Sequence, residues 1–184
     1  MIRLISIKTN ELKKKEILQI CNLKNTKWNY GVKSQFTWFK KNIKEKDIHI
    51  LLYLKNNLVG YLSLRRGFLI LKKKKKKFKK KFLLFDTFVI KKKFRNKKLS
   101  YLLMLSALDV ISKTKLLSCL ICKKSLLFYY LKFNWKKISK FIIKIPGKNL
   151  KGFNILYFQR KINNKLFQFD NFSEINLFIK NSYL

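Results

Sequence analysis

The sequence predicts an α/β (α+β) fold, with a mixed central sheet of six to seven strands flanked by helices. Three observations carry that expectation. Apolar residues recur with strand and helix periods in turn, giving the order β-α-α-β-β-β-α-β-α-β-β from about Ile2 to Lys161. The stretch from Lys81 to Ser112, KFLLFDTFVIKKKFRNKKLSYLLMLSALDVIS, passes from an apolar run through a basic connection into a helical pattern. A chain of 184 residues with 48% hydrophobic and 15% aromatic content is large enough to bury a substantial core without staples.

Met1 to Lys8 intersperses apolar Ile2 and Leu4 with polar Arg3 and Ser6, which predicts a first strand. Thr9 or Asn10 is the expected cap of a helix with Leu12, Ile17, Leu18, Ile20, Cys21 and Leu23 as its apolar positions. After a loop with Trp28, Tyr30 and Gly31, a second helix is expected near Ser34, holding Phe36, Trp38, Phe39 and Ile43. Asp47 to Leu54 and Leu58 to Ile70 read as a hairpin around Lys55-Asn56-Asn57. His49, the lone histidine, is expected on the first of these strands, facing solvent or hydrogen-bonded in the core. Leu71 to Lys81 is nearly all lysine, and mutual repulsion predicts a solvated hairpin tip rather than an ordered element. Beyond the central stretch, Leu116 to Cys122 suits a strand, Lys123 to Phe133 a helix, and Lys136 to Lys144 and Gly152 to Lys161 two further strands. Residues 1–162 are expected to form one domain, with 163–184 as a C-terminal extension packed on it as a short strand or helix.

The net charge of +37 suits a nucleic-acid or anionic-membrane partner. The lysines are nevertheless spread along the whole chain, with a single alanine (Ala107) and a single proline (Pro146), a bias that an AT-rich coding sequence also produces. Cys21, Cys119 and Cys122 make no even-numbered disulfide framework. Cys119-x-x-Cys122 lies in a strand-like run without a second pair or a histidine partner, so no metal site is expected. The N-terminal residues lack a secretory apolar stretch, and no apolar run approaches the eighteen or so residues of a membrane span. The expectation is a soluble, cytoplasmic monomer or homodimer.

The central stretch places a strand end, a tight basic loop and a helix start in succession. The first amides of a helix lack intrahelical acceptors and carry the positive end of its dipole, so the junction suits a phosphate. Phe88-Val89-Ile90, then Lys91 to Phe94, then Arg95-Asn96-Lys97-Lys98-Leu99-Ser100, ending in Leu103-Met104, resembles the central motif of GCN5-related N-acetyltransferases (GNAT). That motif reads approximately V-x-P-x-Y-[QR]-x-x-G-x-[GA]-x-x-L. Phe94 falls on its aromatic position, Arg95 on Gln/Arg, Ile90 on the strand-end aliphatic and Ser100 on the second small residue, while Lys98 departs from the preferred glycine. Tyr129-Tyr130-Leu131-Lys132-Phe133-Asn134-Trp135 resembles the second signature, [FL]-Y-x-x-x-G-[FW], with Asn134 in place of glycine. Asparagine is the next-best residue for a left-handed helix end.

The resemblance implies a GNAT-like acyl-CoA N-acyltransferase fold and direct transfer of the acetyl group of acetyl-CoA to a primary amine. Phe88, Val89, Ile90, Arg95, Asn96, Lys97, Lys98, Leu99, Ser100 and Tyr101 would bind acetyl-CoA. Amides near Val89 or Ile90 would polarise the thioester carbonyl, and Tyr130 would protonate the departing thiolate. Trp28, Tyr30 and Trp38 are candidates for acceptor contact, or else core aromatics. Asp86, in an apolar strand, is the candidate base, or a structural hydrogen-bonding group. With only 8 acidic residues, a neutral or anionic amine such as an amino sugar fits better than a polycation. Two alternatives stay open. One is a basic protein that binds nucleic acid through the lysine tip without sequence preference; the other is an inactive binding module on the same fold.

Overall fold

The structure, a computed structural model, describes residues 1–95, 97–139, 143–145, 151–159 and 169–178. They form two compact units, Met1–Arg65 with Phe85–Val110, and Arg66–Leu84 with Ile111–Leu184.

In the first unit, β1 (Ile2–Lys8) pairs antiparallel with β2 (Ile48–Leu54), Ile2 opposite Leu54 and Lys8 opposite Ile48. The next strand, β3 (Asn57–Lys73), runs antiparallel to β2, with a register shift at Leu52/Tyr53. Helices α1 (Lys14–Asn25) and α2 (Val32–Asn42) supply Ile20, Cys21, Leu23 and Phe39 to a core completed by Leu51, Tyr53, Leu58, Tyr61 and Val89. The first helix starts later than its composition suggests. Thr9–Glu11 is a 3-10 turn, and the backbone amide of Lys13 donates to Glu16 Oε2 at 2.8 Å to cap α1. The hydroxyl of Thr9 is used elsewhere, on Asp47 O at 3.2 Å and on the ring of His49.

In the second unit, β3 continues to Lys73 and β4 (Lys76–Ile90) returns. This corrects the expectation of an unordered lysine tip: strand pairing extends to Lys73 and Lys76, and only Lys74 and Lys75 turn, Lys74 with φ 53°. Leu69, Leu71 and Phe82 are buried at its base, and that apolar contact outweighs a repulsion that water and salt screen. Phe82–Leu84 of β4 pair in parallel with Leu117–Cys119 of β5 (Leu117–Lys123), after which β5 runs antiparallel to β8 (Phe153–Phe158). Short strands β6 (Lys136–Lys137) and β7 (Ile143–Lys144) appear where one longer strand was expected. The tail supplies β9 (Glu174–Phe178), antiparallel to β3 from Phe68 to Lys72. Gly67 is required here. A Cβ at this position would lie 2.6 Å from Phe82 Cε1 and 2.8 Å from the carbonyl oxygen of Phe178.

The strand order is β1-β2-β3-β4-β5-β8-β6, with β7 and β9 off this path, and every pairing except β4 with β5 and β7 with β9 is antiparallel or a hairpin return. Helix α3 (Leu99–Thr114) buries Leu99, Leu103, Met104, Ala107 and Ile111 along one stripe. Among the described residues, no helix is long and apolar enough to cross a membrane.

Among the polar groups that this fold buries is His49, with no exposure. It faces Phe39, and its two ring nitrogens meet Tyr61 Oη and Thr9 Oγ, each at 2.8 Å. Because Thr9 Oγ donates to Asp47 O, the network assigns Nε2–H as donor to Thr9 and Nδ1 as acceptor from Tyr61. Burial, helped by the charge of Lys24, pushes the imidazole pKa down to about 3. Below the ordinary histidine range of about 6.5, the unfolded chain therefore takes up a proton that the folded chain refuses. Stability should fall by about 1.7 kcal/mol in all as the pH drops from 6.5 to 5, the slope growing toward about 1.4 kcal/mol per pH unit, and His49→Gln should abolish that slope. Urea denaturation across this range checks it, and a wild-type slope of zero would refute the assignment.

Candidate active site

The second half of β4, from Phe85 to Ile90, is where the sequence motif begins. Thr87 has φ 51°, an outlier for a β-branched residue, and its amide donates to Asp86 Oδ1 at 2.8 Å. Ser63 Oγ donates to the Asp86 carbonyl at 3.2 Å, so the strand is locally distorted and pinned at this point. Phe88 is half-buried and packs edge-on to Phe85, ring centroids 5.8 Å apart. Val89 and Ile90 are buried: Val89 joins the core with α1 and α2, and Ile90 Cδ1 occupies the space that a Cβ on Gly60 would need. Only their backbones are available for a ligand.

The Lys91 amide donates to Val59 O at 2.8 Å, after which Lys92–Phe94 makes a 3-10 turn. Arg95 Nε donates back to Ile90 O at 3.3 Å, tying the loop to the strand end. Asn96 lies outside the described residues. Lys97 and Lys98 are exposed, and Lys98 takes φ 55°, the left-handed conformation that glycine would supply at this motif position. The Leu102 amide then donates to Lys98 O at 3.2 Å and opens the α3 ladder. Leu99 is buried as an anchor, Ser100 half-buried, and Tyr101 exposed. From Lys91 to Lys98 the chain offers six cations and no carboxylate beside a helix start, which favours a multiply charged anion.

Asp86 also accepts a bond from Arg65 Nη1 at 3.3 Å. Both of its oxygens are thus engaged, one by Thr87 and one by Arg65. Arg65, only 3% exposed, donates through Nη2 to Asn42 O at 3.1 Å and lies over the Trp38 ring, 5.3 Å from its centroid. Lys24 Nζ sits 4.0 Å from the same centroid. Burial pushes the pKa of this amine down, with the charge of Asp86 opposing the shift. Trp38 and Asp86 are therefore brought together through Arg65. Trp28 is instead packed against the α1–α2 core, its carbonyl accepting from Gln35 Nε2, and Tyr30 is 72% exposed in the loop. Sequence reasoning missed Lys24, Arg65 and the Thr87 distortion. An arginine on the inward phase of an otherwise apolar strand was the available signal for Arg65; nothing local marked Thr87.

In the second unit, the helix expected over Lys123 to Phe133 is shorter. Lys124–Leu126 is a 3-10 turn, and α4 covers Leu127–Leu131. The amides of Phe133 and Asn134 close it on Tyr130 O and Leu131 O, and Asn134 takes φ 61°, as the glycine of the second signature would. Tyr130 is 6% exposed and packs edge-on to Tyr129 and Trp135. Burial, reinforced by Cys122 and Tyr129, pushes its phenol pKa well up, so it holds its proton at neutral pH. Cys119 and Cys122 are both buried; burial raises the Cys119 thiol strongly and pushes the Cys122 thiol to about 11, so both remain protonated and unreactive.

No protein-family model matches the chain, and no curated protein matches it in sequence. Solved structures do match its fold. An acyl-CoA N-acyltransferase from Pseudomonas aeruginosa aligns over 88% of this chain and 100% of its own, with a TM-score of 0.61 and 14% identity. The ribosomal-protein-S18-alanine N-acetyltransferase of Escherichia coli aligns over 91% of this chain and 100% of its own, with a TM-score of 0.60 and 11% identity. The PaiA N-acetyltransferase of Thermoplasma acidophilum, solved with coenzyme A, aligns over 87% and 99%, with a TM-score of 0.52 and 14% identity.

The left-handed residue at the helix entry gives a direct expectation. Lys98→Gly should stabilise the chain by about 1 kcal/mol by relieving the Cβ clash, whereas Lys98→Val should destabilise it and disorder the start of α3. Thermal melts of both variants check this; equal melting points would show that the turn carries no strain.

Proposed function

We propose that this chain, which has the fold of the GNAT-type N-acetyltransferases, is itself an acetyl-CoA-dependent N-acetyltransferase acting on a primary amine of a small-molecule acceptor. The observation that carries the proposal is the left-handed turn at Lys98. It gives a lysine the backbone of the motif's glycine at the point where a basic loop enters α3. The first amides of α3, with Arg95, Lys97 and Lys98, then hold the pyrophosphate of acetyl-CoA. Leu99, Ser100 and Tyr101 complete that wall, Asn96 is assigned to the cofactor by its motif position alone, and the backbone of Phe88, Val89 and Ile90 receives the pantetheine arm. Acetyl-CoA brings the activated acetyl group as a thioester.

The chain's own residues supply three services. An amide near Val89 or Ile90 stabilises the oxyanion that forms as the amine attacks the thioester carbonyl. The acceptor's proton leaves through water or through Asp86, which Arg65 and the Thr87 amide hold in place. Tyr130 gives its proton to the departing thiolate, a role supported by its place on the tyrosine position of the second signature. Lys24 and Arg65 outnumber Asp86 around Trp38, which favours a neutral or anionic acceptor over a polycationic one.

The test is release of free CoA thiol from acetyl-CoA in the presence of a panel of primary amines. Amine-dependent release is expected, with Tyr130→Phe lowering kcat by about a hundredfold while leaving acetyl-CoA affinity unchanged. Failure to bind acetyl-CoA at all would overturn the proposal; an unchanged kcat in Y130F would remove Tyr130 from the mechanism.

A further inference from the structure

The lysine hairpin is not absorbed by the acetyl-transfer chemistry. It is an ordered hairpin, edged along β3 by β9 from Phe68 to Lys72, with two unlike faces. One face buries Leu69, Leu71 and Phe82 in the core of the second unit. By strand alternation the opposite face carries Phe68 from β3 and Lys77, Lys79 and Lys81 from β4. Those three lysines are exposed, and among the described residues no carboxylate pairs with any of them. Glu174, opposite Lys72 in the β3–β9 register, is committed to Lys72 at 2.8 Å.

We infer that this face binds the backbone of single-stranded nucleic acid. Alternate residues of a strand are about 7 Å apart, comparable to the separation of successive phosphates along an extended polynucleotide. Lys77, Lys79 and Lys81 therefore make a row in step with that backbone, and Lys74 and Lys75 extend it around the turn. Beside the row lies an aromatic platform: Phe68 and Phe178 stack with centroids 5.2 Å apart and planes 14° apart, and Lys79 Nζ sits 4.3 Å from the Phe68 centroid. A cationic track flanked by stacked aromatic rings is the combination that holds single strands without reading sequence. An anionic membrane would be served by the charge alone and has no use for the lysine register or the rings. The surface is independent of acetyl transfer.

The control must separate this face from the general charge of the chain. Binding of fluorescein-labelled U20 and dT20 is followed by anisotropy from 50 to 300 mM salt. The wild type is compared with K77Q/K79Q/K81Q and with K13Q/K14Q/K15Q, which removes the same charge near the start of α1; far-UV melts verify folding of each. Three lost phosphate contacts should lower the slope of log K against log salt by about 2 and the affinity by tenfold or more in the hairpin variant, with a much smaller change in the control. Equal losses in the two variants, or no binding of either oligonucleotide, would overturn the inference. So would binding to phosphatidylglycerol vesicles in place of the oligonucleotides.

Discussion

Lys98 and Asn134, the residues on the glycine positions of the two signatures, both take the left-handed backbone that normally calls for glycine. Lys98 turns the chain from the basic loop into α3, and Asn134 turns it out of α4. Each such turn costs a residue with a Cβ about 1 kcal/mol or more. What holds them is the burial that follows. Leu99, Leu103 and Met104 are inserted directly after Lys98, and Trp135 directly after Asn134, all with little or no exposure. The hydrophobic stripe of a helix and one large aromatic thus fix two turns that local preference alone would not select.

The interior of the first unit meets a second constraint, the cost of polar groups away from water. Three devices meet it. His49 is kept neutral between Thr9 and Tyr61. Arg65 spreads its charge over Asp86, the Asn42 carbonyl and the Trp38 ring. Lys24 lies over the same Trp38 ring, Nζ 4.0 Å from its centroid. These groups converge on β3 and the distorted part of β4, so the polar interior and the motif-bearing strand are one local structure. Such a cluster stabilises little compared with an apolar replacement, but losing one member leaves the others buried and unpaired.

The order of the elements was legible because hydrophobic period survives an extreme lysine content. The α3 stripe from Leu99 to Ile111 and the apolar run from Phe82 to Ile90 stand out whatever surrounds them. Lys98 and Asn134 were legible only as positions in the two signatures; that both residues would accept positive φ depends on packing contacts distant in sequence. The lysine hairpin was misjudged because charge repulsion was weighed without the apolar base and the β9 strand that brace it. The Thr87 distortion had no local mark, since threonine ordinarily favours a regular strand. Arg65 and Lys24 acquire their meaning from Trp38 and Asp86, partners that no short window of sequence brings together.

Titrating the isotopically labelled protein with CoA, and following backbone amide shifts by nuclear magnetic resonance at low and high salt, tests whether the junction of the basic loop with α3 receives the pyrophosphate as proposed. The largest shifts are expected at Leu99, Ser100 and Tyr101 and along Phe88 to Ile90, saturating at both salt concentrations. Shifts confined to the lysine hairpin, and lost at high salt, would contradict the proposal.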